Sequence, residues 1–486
     1  MLAKGNKSIK QNFIMNVVLL LSSVLFPLIT YPYVSRVLLP DGIGRISFAT
    51  SLISYFSLIS QLGIPIYGIR ATAKVRDNKQ ELSKTVQELF IINLVMTLVS
   101  YILLIIVIHS VSKFQDDLKL YFIISFTILF NTIGMEWLYK GLEEYKYITQ
   151  RSIVFKIVAL VAMFLFVHNQ EDYLIYGGIT ILAASASGLL NFINVRKLII
   201  LRPLKNYNFR QHFKPIGIFF AMACATIIYT NMDKLMLGFM TTNSDVGYYD
   251  ISIKIKSLLT CIVTSLGAVL LPRLSYYIEK GEVEEFNRII KKSLNFVVLI
   301  ATPLAIYFSL FAKPTILLLA GNAFYNSILP MRILMPTLLF IGLNNLIGMQ
   351  MLVPMGKEKI VLKSEIIGAI IDISINAILI PRYAAVGAAI GTTIAEFTVL
   401  FVQYLAVKKE IISALKSIHF FKFIVALLFG SLASVWVNNL ELNNFITLLI
   451  SAILFFSCYF VFLLITKEPL IIEIYSNLKT KIINIK

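Results

Sequence analysis

The stretch NFIMNVVLLLSSVLFPLITYPYV, Asn12 to Val34, runs for 23 residues without a charged side chain. A helix of that length covers roughly 30 Å, the thickness of a bilayer's hydrocarbon core. Lysines at 4, 7 and 10 precede it, as in a signal peptide, yet the run is too long for such a peptide's apolar region. We read it as a first membrane span, retained in the protein. Comparable runs recur along the 486-residue chain, which is 58% hydrophobic and 14% charged, with mean hydropathy +0.81. A soluble domain carries about a quarter charged residues. The predicted fold class is therefore an all-α polytopic membrane protein.

Apolar runs bounded by charged or turn-rich stretches predict 14 transmembrane helices, near 12–34, 46–69, 86–109, 118–139, 152–168, 173–195, 215–240, 246–271, 293–312, 328–353, 360–381, 384–407, 420–437 and 444–466. An even number places both termini on one side. The basic residues choose the side, because cytoplasmic connections retain positive charge during insertion. Of 44 lysines and arginines, 33 fall in the termini and every second connection. The alternate connections hold only Arg36, Arg45, Lys113, Lys119, Lys234, Lys313, Arg332 and Arg382, and Lys156, Lys254 and Lys256 lie within spans. Both termini are thus expected in the cytoplasm. The net charge of +18 reflects this topology rather than a nucleic-acid surface.

Two segments repeat about 203 residues apart. LLPDGIGRISF (Leu38 to Phe48) matches TTNSDVGYYDI (Thr241 to Ile251), each with an acid and then a glycine at a hairpin. QLGIPIYGIRATAKVRD (Gln61 to Asp77) matches SLGAVLLPRLSYYIEKG (Ser265 to Gly281), aligning Gly63 with Gly267. The expected organisation is a six-helix bundle over 1–205, a second over 206–410 and two extra C-terminal helices over 411–486. Internal repeats around a central cavity are a transporter architecture. The long connection Arg196 to Pro215 is then a natural hinge. Prolines inside spans, such as Pro27, Pro32, Pro65, Pro303, Pro330 and Pro336, suit helices that bend.

A charge at mid-bilayer costs at least ~2.5 kcal/mol, so it needs a partner or a wet cavity. Arg36, Arg70, Lys140, Arg273 and Arg382 lie near span ends and can extend to the interface. Lys254 and Lys256 lie near the middle of span eight. Lys254 has Asp250 four residues earlier, the spacing of an intrahelical pair. Lys256 has Ser252 at that spacing and is the stronger cationic candidate. Glu365, Asp372 and Asn376 share one stripe of span eleven, and Glu396 follows a small-residue face in span twelve. Asp233 and Lys234, neighbours in TNMDKLMLG, point about 100° apart toward the outer end of span seven. These residues suit either a structural ion-pair network or a cavity that binds a charged substrate or couples to an ion.

Several chemistries are excluded. No GxxxxGK[ST], HExxH or CxxC motif is present, and the four histidines are scattered. Cys224, Cys261 and Cys458 all fall in apolar runs and read as small apolar residues. No catalytic or metal-ligating residue and no cofactor is expected. An integral membrane glycosyltransferase or ligase would present a sizeable outer loop or domain, and the outer connections here are short.

PYVSRVLLPDGIGRISFA (Pro32 to Ala49), EWLYKGLEEYKYITQRSI (Glu136 to Ile153), NMDKLMLGFMTTNSDVGYYDISIKI (Asn231 to Ile255), ILPMRILMPTLLFIGLNNL (Ile328 to Leu346) and VGAAIGTTIAE (Val386 to Glu396) occur in this order along the chain. Over nearly its full length the chain resembles the polysaccharide-unit (Wzx-type) flippases of the multidrug/oligosaccharidyl-lipid/polysaccharide exporter superfamily. The resemblance implies two bundles that open alternately to cytoplasm and exterior. It implies a bacterial cytoplasmic-membrane protein that carries an undecaprenyl-diphosphate-linked glycan, for capsule or related surface polysaccharide. Polymerase and glycosyltransferases would be its neighbours in that process. Lys256, Lys254 and Lys234 would face the diphosphate. Asp233, Asp372 and Glu396 would orient them, contact sugar hydroxyls, or titrate if a proton or sodium gradient drives export. A drug/cation antiporter of the same superfamily is the competing reading, in which the mid-membrane acids form the cation site.

Overall fold

The computed structural model describes residues 9–265, 267–408, 410–412, 419–472 and 476. Lys4, Lys7, Lys409, Lys416 and the lysines from Lys479 onward, which enter the charge count above, lie outside the described residues. The described chain is helical nearly throughout, as it must be where no water can satisfy backbone N–H and C=O groups. It divides into two compact units, Met1–Gly247 and Tyr248–Lys486.

The first unit comprises α1 (Ile9–Gln61), α2 (Ile64–Val75), α3 (Lys79–Ser110), α4 (Leu118–Gly134), α5 (Glu136–Gly141), α6 (Tyr145–Phe166), α7 (Tyr173–Ile181), α8 (Gly188–Leu198) and α9 (Arg210–Met240). The 53 residues of α1 are two helices joined at Leu39, whose φ of 57° and ψ of 179° are non-helical. Pro40 follows, and the residue before a proline is driven out of the helical region. A second break separates α1 from α2 at Gly63, with φ +73°. A Cβ there would sit 2.5 Å from the Phe220 nitrogen, so glycine serves both the left-handed turn and the close passage of α9.

Hydroxyl and amide groups join the spans of this unit from within. Ser60, Thr97 and Thr132 form a triangle with edges of 2.8, 2.8 and 3.1 Å, and Asn93 Nδ2 donates to Ser60 O at 2.7 Å. Without water to compete, such bonds hold membrane helices together. Outside lie Leu98, Phe122 and Leu165, each more than 60% exposed as lipid-facing side chains should be. At one end Arg45 reaches Asp41 and Asp117, at 2.6 and 2.8 Å, and Tyr173 Oη donates to Asp117, tying three hairpins together.

The connection from Ile199 to Phe209, within the stretch Arg196 to Pro215 expected as a hinge, is bonded to α3. Gln87 Nε2 donates to the carbonyls of Ile200 and Arg202, Tyr207 Oη donates to Gln87 Oε1, and Ser83 Oγ accepts from the Ile200 amide. Glu88, fully buried, accepts from the Asn208 amide, Gln211 and His212.

The second unit comprises α10 (Asn243–Thr264, whose first residues belong to the first unit), α11 (Gly267–Lys280), α12 (Val283–Leu310), α13 (Ala312–Leu319), α14 (Ile328–Leu334), α15 (Thr337–Asn344), α16 (Glu358–Ala406), α17 (Phe420–Val435) and α18 (Asn444–Ile465). Like α1, the 49-residue α16 is two helices, here joined at Ala384. Gly267 is the first residue of a short helix that follows a longer one, and Gly63 caps the start of another. Helices α17 and α18 pack on α12, where Tyr459 Oη donates to Leu299 O and Tyr307 bonds Leu448 O and Ser451.

By length and composition, 10 described helices can cross a membrane, or up to 11 if the bent pair Asn322–Leu334 and Thr337–Leu352 is one span, against the fourteen expected. Two of the ten, Ile14–Val75 and Glu358–Ala406, are long broken segments, and the helix bearing Lys254 and Lys256 is not among them.

Candidate substrate-transport site

In the first unit, Asp233 and Lys234 lie late in α9. Asp233 is buried and Lys234 half-buried, and both are engaged by other groups. Gly238, one turn beyond, receives the Phe48 ring of α1, which a Cβ would meet at 2.1 Å. The stretch is thus clamped to α1 by packing around its charges.

In the second unit, Lys254 and Lys256 sit near the middle of the 22-residue α10. Lys254 is half-buried and engaged, and Asp250, one turn earlier, is almost wholly buried. Lys256 is also half-buried, but no hydrogen bond or ion pair to its ammonium forms among the described residues. Ser252, which the spacing placed beside it, donates instead to Tyr248 O and Ser327 O, both at 3.0 Å.

The acids gather on α16. Asp372 and Asn376 are both buried, and Asn376 Nδ2 donates to Asp372 Oδ1 at 3.2 Å. Gly391, on the other side of the Ala384 break, faces them so closely that a Cβ would lie 2.1 Å from Asn376 Oδ1 and 3.1 Å from Asp372 Oδ1. The next residue, Thr392, bonds Tyr249 of α10 at 2.7 Å. Glu396 is buried one turn further on and accepts from Asn344 Nδ2 at 3.2 Å. Glu365, at the start of the stripe, is only half-buried. The structure therefore brings Asp372, Asn376, Gly391 and Thr392 together, joins Thr392 to α10 and Glu396 to α15, and forms no ion pair between Lys256 and either acid.

Chemically, this is a polar interior in the second unit, where the buried Asp372 and Glu396 accept from the amides of Asn376 and Asn344 and no described residue pairs the Lys256 ammonium. No group of three or more potential metal ligands occurs among the described residues. The candidate residues read from the sequence left out two cations of α6, Arg151 and Lys156. Arg151 is buried against Glu136 at 3.3 Å, donates to Ser187, and shares Glu136 with Lys140 at 2.8 Å. Lys156 donates to Ser22 and Ser23 of α1, each at 2.8 Å. The signal for Lys156 was already legible: a lysine near the centre of a 22-residue apolar helix.

Residues 9–278, more than half of the chain, match the family model described as polysaccharide biosynthesis protein. The chain belongs to the polysaccharide biosynthesis protein family. Two relatives of this chain are putative O-antigen transporters. That of Escherichia coli (strain K12) is 23% identical over 405 residues, covering 83% of this chain and 97% of its own length. That of Shigella dysenteriae is 25% identical over 396 residues, covering 80% and 97%. Among solved structures, the lipid II flippase MurJ in an inward closed conformation superposes with a TM-score of 0.68 at 15% identity, covering 93% of this chain and 98% of that one. The chain shares that fold.

Proposed function

We infer that this chain is a transporter, not an enzyme, that flips undecaprenyl-diphosphate-linked oligosaccharide units across the bacterial cytoplasmic membrane by alternating access. The glycan serves capsule or a related surface polysaccharide, with a polymerase and glycosyltransferases acting before and after it. Both termini face the cytoplasm, as the basic residues indicate. Family membership and the O-antigen transporter relatives support the substrate class. The observation that carries the reading is Lys256, midway along the 22-residue α10, whose ammonium has no partner among the described residues. Such a charge is stable only beside water or an anion, and a lipid-linked diphosphate is an anion that must pass the hydrocarbon core. Lys254 joins Lys256 on α10, and Asp372, Asn376, Glu396 and Glu365 of the same unit orient these lysines, meet sugar hydroxyls, or take the proton or sodium ion if a gradient drives export. Lys234 and Asp233 would serve the same ends within the first unit.

Deleting the gene tests this reading. Lipid-linked repeat units should then accumulate on the inner leaflet, without polymer outside. Unchanged surface polysaccharide together with increased sensitivity to cationic dyes would replace the flippase by a drug/cation antiporter, whose ion site would be the buried acids of α16.

A further inference from the structure

Lys156 lies near the centre of α6, about 17 Å from its first residue at 1.5 Å per residue. It belongs to the stripe of α6 that faces protein: Thr149, seven residues earlier, and Met163, seven later, are both buried. That stripe meets α1 twice, in matching register. Thr149 Oγ1 donates to Met15 O, and Lys156 Nζ donates to the hydroxyls of Ser22 and Ser23, seven and eight residues further along α1. Both serines in turn donate to Leu19 O, at 2.7 and 3.1 Å, so their lone pairs are turned to the ammonium. The cluster is consequently fixed from both helices.

Its charge is not neutralised. No described carboxylate forms an ion pair with Lys156, whereas Arg151, five residues earlier on the same helix, is held by Glu136. Two of the three ammonium hydrogens go to serines, which leaves the third for a further acceptor. Ser23 is exposed, so the cluster opens to space outside the protein core. Hydrocarbon there would face a bare cation at a cost of at least ~2.5 kcal/mol. Beside it on α1, Leu20, Leu21 and Leu25 are each more than half exposed. A cation fixed at mid-membrane depth next to an uncovered leucine face matches an amphiphile with an anionic head and a hydrocarbon tail.

We propose that Lys156, positioned by Ser22 and Ser23, is a binding site for the phosphate head of a polyprenyl-linked substrate, carried by the first unit alone. The proposal rests on the flippase reading and adds to it a contact outside α9, α10 and α16. The step is one of binding only: the third N–H of Lys156 donates to a phosphate oxygen, and the serine hydroxyls hold the ammonium in place.

The test uses the full chain in lipid nanodiscs, with thermal unfolding followed as undecaprenyl diphosphate is added to the bilayer or inorganic pyrophosphate to the buffer. Undecaprenyl diphosphate should raise the unfolding midpoint of the wild type, and Lys156→Met should bind it roughly tenfold more weakly, the loss of one charge-assisted hydrogen bond. Lys156→Arg should bind as the wild type does. The double variant Ser22→Ala with Ser23→Ala keeps the charge but not its placement; its midpoint should rise less on adding the lipid, measured from its own lipid-free value, and it decides the matter should Lys156→Met fail to fold. Unchanged affinity in the double variant and in any folded Lys156→Met overturns the site while leaving the flippase reading intact. A wild type indifferent to undecaprenyl diphosphate overturns both. A response to pyrophosphate but not to the lipid overturns the assignment to a lipid headgroup.

Discussion

Glu88 of α3 and His212 of α9 stand 2.7 Å apart, carboxylate to imidazole, although 124 residues separate them. Both are buried, and the other imidazole nitrogen bonds the Tyr67 hydroxyl at 2.8 Å, so α2, α3 and α9 meet in one chain of hydrogen bonds. Every described donor to Glu88 comes from the single segment Asn208–His212. If that segment left, a desolvated carboxylate would remain without compensation.

Glu88→Ala should therefore destabilise the protein by about 3 kcal/mol, the range for breaking a buried polar pair from one side. It should also speed tryptic cutting after Lys205. Limited proteolysis beside a thermal unfolding curve reads both, and an unchanged cutting rate would show that Glu88 does not hold the connection.

Gly391→Ala puts a methyl group where Asn376 Oδ1 now lies, 2.1 Å from the new carbon. The atom faced is a buried amide already committed to Asp372, so either the two halves of α16 part or that hydrogen bond breaks. A loss of about 1–3 kcal/mol is expected from overpacking, read as a lowered unfolding midpoint. Gly217, inside α9 with open space around it, is the control, and its alanine variant should unfold no earlier than the wild type.

Lys256→Ala should impair export while the protein still reaches the membrane at wild-type level. Removing a half-buried charge that no described residue pairs should not destabilise the fold, and relief of its desolvation can raise stability slightly. Surface polysaccharide measured against membrane protein abundance separates the two effects. Full export in this variant would remove Lys256 from the site.

Arg151→Met should behave in the opposite way. It leaves the partly buried Glu136 with only Lys140 and strips Ser187 of its donor, so a stability loss approaching ~3 kcal/mol is expected, visible as reduced protein in the membrane. The contrast between Arg151 and Lys256 distinguishes a cation that holds the fold from one that awaits a ligand.

The membrane class was legible in the sequence because hydrocarbon leaves the backbone little choice: a long uncharged run must satisfy its own N–H and C=O groups, and a helix does so. The kinks at Leu39 and Gly63, before Pro40 and Pro65, were marked by the same local chemistry. Helical periodicity also put Asp372 and Asn376 on one stripe, which proved to be the buried one. Periodicity names a face, however, and not what stands opposite it. That Gly391 lies against Asn376, that Lys156 finds Ser22 and Ser23 over 130 residues away, and that Glu88 ties down a connection long enough to swing are contacts between distant segments. Local rules of propensity and spacing reach about one helical turn. Which of several mid-membrane charges is neutralised and which stays open depends on side chains brought together from across the chain, and only the tertiary structure decides that.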